Sequence, residues 1–270
     1  MEEIIVQSEK MLSVGGLAAG MAHEINNPLA GMIQTADVIS RRLGERIDMP
    51  ANLKAAKEAG TTMEAIQSFM KSRGILPMLM TIIESGHRLA SIVDNMLSFA
   101  RKSEFQASFH SLENLFEKTL ELAVTDYNLT KQYDFKMIGI RREYEKDLPK
   151  VPCDGVKIQQ VLLNILRNGA QAMQGAGTRE PVFIVRTRFE KSLKMVCMEI
   201  EDNGPGMVEA NSKRVFEPFY TTKPVGLGTG LGLSVSYFII TENHGGEMCV
   251  ESTPGRGARF IIRLPLEKIG

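Results

Sequence analysis

The stretch His23-Glu24-Ile25-Asn26-Asn27-Pro28 sets an imidazole beside a carboxylate. On a helix, His23 lies about 200° around the axis from Met21, away from the apolar series to which Met21 belongs. Asn27, four residues on, shares the exposed face of His23. Pro28 has no N–H and clashes with the carbonyl of Glu24, so the helix is expected to kink beside the histidine. An exposed imidazole, an adjacent carboxylate and a deformable helix suit a phosphoryl acceptor with its general base. Alone, the same residues also describe an ordinary surface histidine.

Further along, Asn164 and Asn168 stand four apart in Asn164-Ile-Leu-Arg-Asn168-Gly169-Ala170. Two amide oxygens on one helix face can hold a hydrated Mg2+ ion, and they equally suit a polar helix face. Asp202-Asn203-Gly204-Pro205-Gly206-Met207 places a carboxylate at a strand end, ahead of glycines that permit close backbone approach. That carboxylate can accept a hydrogen bond from an amino group such as that of adenine, or stand solvated in a plain turn. Gly226-Leu227-Gly228-Thr229-Gly230-Leu231-Gly232-Leu233 runs into a helix, where bare N–H groups and a positive dipole end suit a triphosphate. A flexible hinge is the competing use, and the spacing matches neither GxxxxGK[ST] nor a strand-borne GxGxxG. Between the glycine stretches, Phe216-Glu-Pro-Phe219-Tyr-Thr-Thr222-Lys223 has the form of a lid, with phenylalanine anchors and a lysine able to reach phosphate as a point charge.

Two kinds of architecture are needed to position these groups. Val14, Leu17, Met21, Ile25, Met32, Ala36, Ile39 and Leu43 recur at steps of three, four and once seven. Ile75, Leu79, Ile82, Gly86, Leu89, Val93, Met96 and Ala100 repeat the pattern. Sustained spacing of this kind predicts two long helices in an antiparallel hairpin. A lone hairpin buries little, so pairing of two copies into a four-helix bundle is expected. Residues 44–74 are expected as an insertion at the hairpin tip, mainly a solvated connector, with Thr61–Lys71 as a short extra helix.

After Lys102 the pattern changes. Strands are expected at Phe105–His110, Tyr133–Tyr144, Pro181–Phe189, Leu193–Glu201, Glu247–Thr253 and Ala258–Leu264. Helices are expected at Leu112–Leu122, at Val156–Met173 capped by Asp154, and from about Gly230 to Asn243. This order suggests an α+β sandwich with helices on one face of a mixed sheet. The division is therefore residues 1–104, all-α, and residues 105–270, α+β.

Composition narrows the partners. Lys plus Arg equals Asp plus Glu, 32 each, so no global basic field favours nucleic acid or an anionic membrane. Cys153, Cys197 and Cys249 are odd in number, far apart and without a CxxC pair, as expected of reduced core cysteines in a cytoplasmic protein. Met1–Lys10 is acidic and charged, so no signal peptide is expected there. The longest uncharged run, Pro224–Thr241, is strongly apolar only over Leu231–Ile240, too short to cross ~30 Å of hydrocarbon. His87, His110 and His244 have no metal-ligand spacing and are taken as structural or surface residues.

In this order, over about 210 residues, the five stretches resemble the boxes of the sensor histidine kinases of two-component signalling. His23 matches the phosphoacceptor box. Asn164 and Asn168 match the asparagine box, Asp202–Gly206 the first glycine box, Phe216–Lys223 the phenylalanine box and Gly226–Gly232 the second glycine box. The resemblance implies a homodimeric phosphotransfer hairpin followed by a Bergerat-type ATP-binding domain. It implies ATP and Mg2+ as cofactors, with the metal on Asn168 and the adenine amino group on Asp202. The cofactor-binding set it implies is Asn164, Asn168, Asp202, Gly204, Gly206, Thr222, Lys223, Gly228, Thr229, Gly230, Leu231 and Gly232, with phosphates cradled by Gly228–Gly232. His23 then attacks the γ-phosphate through Nε2 while Glu24 takes the Nδ1 proton. The phosphoryl group passes in trans to an Asp of a separate response-regulator receiver domain. Glu24-x-x-Asn27 resembles the pattern with which members dephosphorylate their regulator, Asn27 orienting water.

Many members carry a lysine three residues after the second asparagine. This chain has Gln171, so a phosphate contact is expected instead from Arg167 or Lys223. Two other functions compete. One is an ATPase of the same fold without a phosphohistidine, opposed by the hairpin bearing His23-Glu24. The other is a non-catalytic dimeric signalling adaptor, opposed by the intact Asn168, Asp202 and glycine motifs.

Overall fold

The computed structural model describes residues 24–100, 108–125, 135–224 and 228–267. The chain divides into two compact units, Met1–Arg101 and Lys102–Gly270. Among the described residues no helix is long and apolar enough to cross a membrane.

The first unit is helical. Helix α1 runs over 24–40 and ends in a π-turn, Arg41–Glu45. Helices α2 (Pro50–Glu58), α3 (Met63–Ser72) and α4 (Ile75–Ala100) follow. Helices α1 and α4 approach closely at Gly86, where a Cβ would fall 2.5 Å from Cγ1 of Ile33 and 3.7 Å from Cδ1 of Leu29. Leu29, Ala36 and Val93 are buried. Ile25, Met32, Ile39, Ile82 and Leu89, five members of the two apolar series, are exposed in the single chain.

The tip segment corrects a sequence expectation. The expected short helix is present as α3, but α2 is a second helix where a connector was expected; Ala56, Met63 and Met70 are buried while most of the described segment is exposed. Pro50 sits at the first position of α2, where its missing N–H costs nothing. Thr62 caps α3, accepting from the N–H of Ala65 at 3.2 Å.

The second unit is built on a five-stranded mixed sheet. Its strands are β2 (Gly139–Tyr144), β4 (Val182–Glu190), β5 (Met195–Asp202), β6 (Glu247–Ser252) and β7 (Ala258–Pro265), in the order β2-β4-β5-β7-β6. Only β2 and β4 pair in parallel; the other neighbours are antiparallel. A parallel pair needs a long crossover, here supplied by β3 (Val151–Cys153) and helix α6 (Gly155–Gly175). Strand β1 (Ser108–His110) pairs with β3 as a separate ribbon and leads into α5 (Leu112–Thr125). A four-residue helix, α7 (Glu209–Ser212), precedes the lid. Helix α8 (Gly232–Phe238) continues into a π-turn, Ile239–Asn243. The sequence expected a strand from Tyr133; instead Phe135–Met137 is a 3-10 turn, with Phe135 buried and its ring stacked 6.1 Å from Phe183.

One face of the sheet carries the core. Phe183, Val185, Val196, Met198, Ile200, Phe260, Ile262 and Leu264 alternate inward against Ile158, Val161, Ile165, Leu166 and Met173 of α6 and Val235 of α8. The other face is a ladder of charge: Arg186 bridges Glu143 and Glu201, Arg188 bridges Glu190 and Glu199, and Arg259 bridges Glu199 and Glu251. All three cysteines are free, but Cys249 is exposed, so only Cys153 and Cys197 are core thiols. Burial pushes both of those up to about 12, which keeps them protonated and inert.

Candidate functional site

Helix α6 is the spine of the site. Asp154 caps it, Oδ1 accepting from the N–H groups of Val156 (3.1 Å) and Lys157 (3.3 Å). Its apolar stripe is buried from Ile158 to Met173, which turns Asn164, Asn168 and Gln171 onto a partly exposed face at steps of four and three. The helix is pinned at its start by His244. The backbone N–H of Asp154 donates to His244 Nε2 at 3.0 Å, so that nitrogen is unprotonated. The proton therefore sits on Nδ1, which donates to the carbonyl of Ile239 at 2.7 Å. His244 thus ties the head of α6 to the end of the α8 helical segment, a structural and not a surface role.

Asn164 makes the second tie. Its Nδ2 donates to the carbonyl of Gly232 (3.2 Å) and to Ser236 Oγ (3.3 Å), fixing the start of α8 against α6.

Asp202 ends β5, and it is 7% exposed, so it is not a solvated turn residue. Its Oδ1 accepts from the N–H groups of Gly204 (2.9 Å) and Ala258 (3.3 Å). Desolvation by burial raises its pKa against the lowering effect of those two bonds. Among the described residues none donates to Oδ2, which lies against the bare Cα of Gly169 on α6. A Cβ there would fall 3.4 Å from Oδ2 and 2.6 Å from Cε1 of Phe183. A carboxylate with one oxygen bonded twice and the other facing a bare glycine can accept a hydrogen bond from an amino group. Asn203 braces the loop, accepting from the Val182 N–H (2.9 Å) and donating to the Glu180 carbonyl (3.1 Å).

Two glycines are dictated by this packing. Gly257 has φ +80°, and a Cβ on it would lie 1.8 Å from the Asp202 carbonyl oxygen. Gly206 has φ +66°, with a Cβ position 2.1 Å from the carbonyl of Thr253. The β6–β7 turn is therefore part of the site's wall, a contribution not foreseen from sequence; the Gly-Arg-Gly at 255–257 was its only signal.

The lid is anchored at one end. Phe216 packs 5.1 Å from the Tyr237 ring and 6.4 Å from that of Phe260. Tyr220 donates to Asn211 Oδ1 at 2.7 Å beneath the Arg214 guanidinium. The second phenylalanine is no anchor, since Phe219 is exposed and holds φ +63°, a costly conformation for a bulky residue. Gly230 is what admits it: a Cβ there would lie 2.3 Å from the Phe219 carbonyl carbon. Gly228 packs on Thr221 and Lys223, Thr229 Oγ1 accepts from the Leu231 N–H at 3.3 Å, Leu231 is buried, and Thr222 is exposed. Lys223 Nζ donates to Asn168 Oδ1 at 3.0 Å and to Gln171 Oε1, so an ammonium stands on the amide oxygen singled out for a metal.

The donor set suits Mg2+ in that a cation already rests on Asn168. No cluster of three or more His, Cys, Asp or Glu able to hold a metal occurs among the described residues. In the helical unit, Glu24 and Asn27 are exposed on α1, whereas His23 lies outside the described residues.

The second unit has the mixed sheet, asparagine helix and buried strand-end carboxylate of a nucleotide-binding α/β sandwich. Residues 153–268 match the family described as "Histidine kinase-, DNA gyrase B-, and HSP90-like ATPase". Relatedness extends well beyond that segment. Sporulation kinase E from Bacillus subtilis (strain 168) is 31% identical over 273 residues, 99% of this chain and 31% of that protein. The solved structure of full-length ShkA in complex with AMPPNP matches with a TM-score of 0.65 at 23% identity, over 94% of this chain and 46% of that one. The complex of histidine kinase ThkA with response regulator protein TrrA matches with a TM-score of 0.56 at 22% identity, over 98% and 66%. The two structural likenesses speak to the fold. The chain belongs to the sensor histidine kinase family of two-component systems. It spans about a third of the length of the sporulation kinase it matches.

Proposed function

We propose that the chain is a protein-histidine kinase that phosphorylates His23 from ATP and passes the phosphoryl group to an Asp of a separate receiver domain. The observation that carries this is Asp202: a buried carboxylate, one oxygen fixed by two backbone N–H groups and the other turned to the bare face of Gly169. Such a group accepts the adenine amino hydrogen and rejects a ring that presents a carbonyl there.

In this assignment residues 105–270 hold the nucleotide and residues 1–104 carry the acceptor. Asn168 would hold Mg2+ through Oδ1. When bound, the metal neutralises charge on the phosphate oxygens, as phosphoryl transfer generally requires. Lys223 and the N–H groups of Gly228–Gly232 surround the phosphates, while Asn164 keeps that stretch aligned with α6. Nε2 of His23 forms its bond to the γ-phosphorus as the bond to the β–γ bridging oxygen breaks. Glu24 takes the Nδ1 proton, so the phosphohistidine is neutral at its ring nitrogen. Asn27, one helical turn on, orients water for the reverse duty of dephosphorylating the regulator.

The exposed Ile25, Met32, Ile39, Ile82 and Leu89 support pairing of two copies into a four-helix bundle. The ThkA–TrrA complex supports a receiver domain as the partner, and the absence of a spanning helix among the described residues is consistent with work in the cytoplasm.

Incubation with γ-labelled ATP, then with a panel of receiver domains, tests the proposal. Acid-labile, alkali-stable label on the chain that moves to one receiver supports it. Hydrolysis of ATP without label on the chain assigns a plain ATPase, and neither hydrolysis nor label assigns an adaptor.

A further inference from the structure

The lid and the asparagine helix are joined by one side chain. Lys223 Nζ spans 55 residues of sequence to reach Asn168 Oδ1 at 3.0 Å, and also bonds Gln171 Oε1 one turn along. Its backbone is held for the purpose. The Lys223 N–H donates to Thr221 Oγ1 at 3.1 Å, and a Cβ on Gly228 would fall 3.2 Å from Lys223 Cδ and 2.6 Å from Thr221 Oγ1.

The ammonium is largely withdrawn from water, and its desolvation lowers its pKa. Among the described residues no carboxylate offsets that desolvation. Its ammonium donates, among the described residues, to two neutral amide oxygens, although a cation withdrawn from water is ordinarily balanced by a counter-charge. A phosphate-bearing ligand would supply such a charge. Moreover, Asn168 Oδ1 is the atom assigned above to Mg2+, and an ammonium and a divalent cation repel strongly across one shared oxygen.

We propose that Lys223 is a place-holding cation. While the site is without nucleotide, its ammonium rests on Asn168 and Gln171 and draws the lid onto α6. Entry of a metal–triphosphate displaces it from both amides onto phosphate oxygens, so lid position reports metal and phosphate occupancy together. Gln171 is a positioning residue that sets where the ammonium waits. This rests on the nucleotide-binding role proposed above and adds to it the regulation of that site.

The test is a double-mutant cycle in the full chain with Lys223→Met, Gln171→Leu and the pair, read by thermal unfolding midpoint without ligand and with saturating Mg2+ and AMPPNP. Without ligand, Lys223→Met should lower the midpoint by roughly 2–4 °C, and Gln171→Leu should add little to it. With Mg2+ and AMPPNP, the two effects should become additive, because the bond between them has been broken. Additivity without ligand, or equal coupling in both states, overturns the proposal. If Lys223→Met fails to fold, the exchange Lys223→Gln with Gln171→Lys returns the ammonium to the same place from the helix side. A midpoint near that of the wild type supports the place-holder, and one below both single variants refutes it. If Mg2+ and AMPPNP do not shift the wild-type midpoint, the nucleotide assignment fails, while the ligand-free coupling still judges the resting contact.

Discussion

Replacing Asp202 by Asn separates binding from folding at the centre of the site. The amide is isosteric, and its oxygen can keep both bonds that Oδ1 accepts from Gly204 and Ala258. What changes is the oxygen facing Gly169, which becomes an NH2 donor set against the adenine amino group. A hydrogen bond to a charged partner is worth about 1.5–3 kcal/mol. At about 1.4 kcal/mol per decade, ATP affinity should fall by roughly 10- to 150-fold. Affinity for GTP, whose ring offers a carbonyl at that position, should fall less or rise, so the ATP-over-GTP preference collapses.

Stability should move the other way. Burial holds the Asp202 carboxyl above its ordinary value of 3.8, so the folded state binds the proton more tightly than the unfolded state. Stability is then lost as pH rises from 3.8 through the folded value, and at neutral pH the neutral amide removes that cost. Calorimetric titration with ATP and GTP, beside denaturant unfolding at pH 7, reads both arms. The reasoning is refuted if Asp202→Asn binds ATP like the wild type, or if it loses several kcal/mol of stability while nucleotide preference is unchanged.

Three more outcomes follow from the structure. Gly169→Ala forces a methyl against the Phe183 ring, where the Cβ position lies only 2.6 Å from Cε1; overpacking of this kind should cost about 1–3 kcal/mol in denaturant unfolding and weaken ATP binding as the floor lifts. Desolvation holds the His244 imidazole below its ordinary value of 6.5, with Lys157 acting the same way and Asp154 and the Ile239 carbonyl opposing. Its unfolded form therefore binds protons more readily, so the stability it supports is present above pH 6.5 and is lost as pH falls through the folded value. In His244→Gln that acid sensitivity below pH 6.5 should shrink in melting scans. Asn27→Ala should leave labelling from ATP intact and slow loss of phosphate from the regulator by on the order of tenfold or more; unchanged dephosphorylation assigns that step to other residues.

Much of this was legible in short-range patterns. Asp154 announced the start of α6, the four-residue step from Asn164 to Asn168 announced its polar face, and the stretches Pro181–Phe189 and Leu193–Glu201 announced the central paired strands. Where local signals misled, tertiary packing had overridden them. Residues 135–137 read as a continuing strand, yet Phe135 turns in to stack on Phe183 and the strand waits until Gly139. Pro50–Glu58 read as a connector because its face is polar, although Pro50 is a good first helical residue and Ala56 is buried. The ladder of Arg and Glu on the outer sheet face hid the fact that Glu199 is nearly buried. The bonds of Lys223 to Asn168 and Gln171 were not readable at all, since 55 and 52 residues separate the partners and only the lid's docking joins them. Gly257 was likewise visible only as a turn residue until the Asp202 carbonyl was seen beneath it.

The central claim is a transfer of phosphorus to one imidazole. The chain and a His23→Gln variant, incubated with γ-labelled ATP under alkaline quench and mapped by mass spectrometry, decide it. The account predicts phosphate on His23 of the wild type and none on the variant, whose affinity for ATP stays the same. Equal label on the two chains would contradict it.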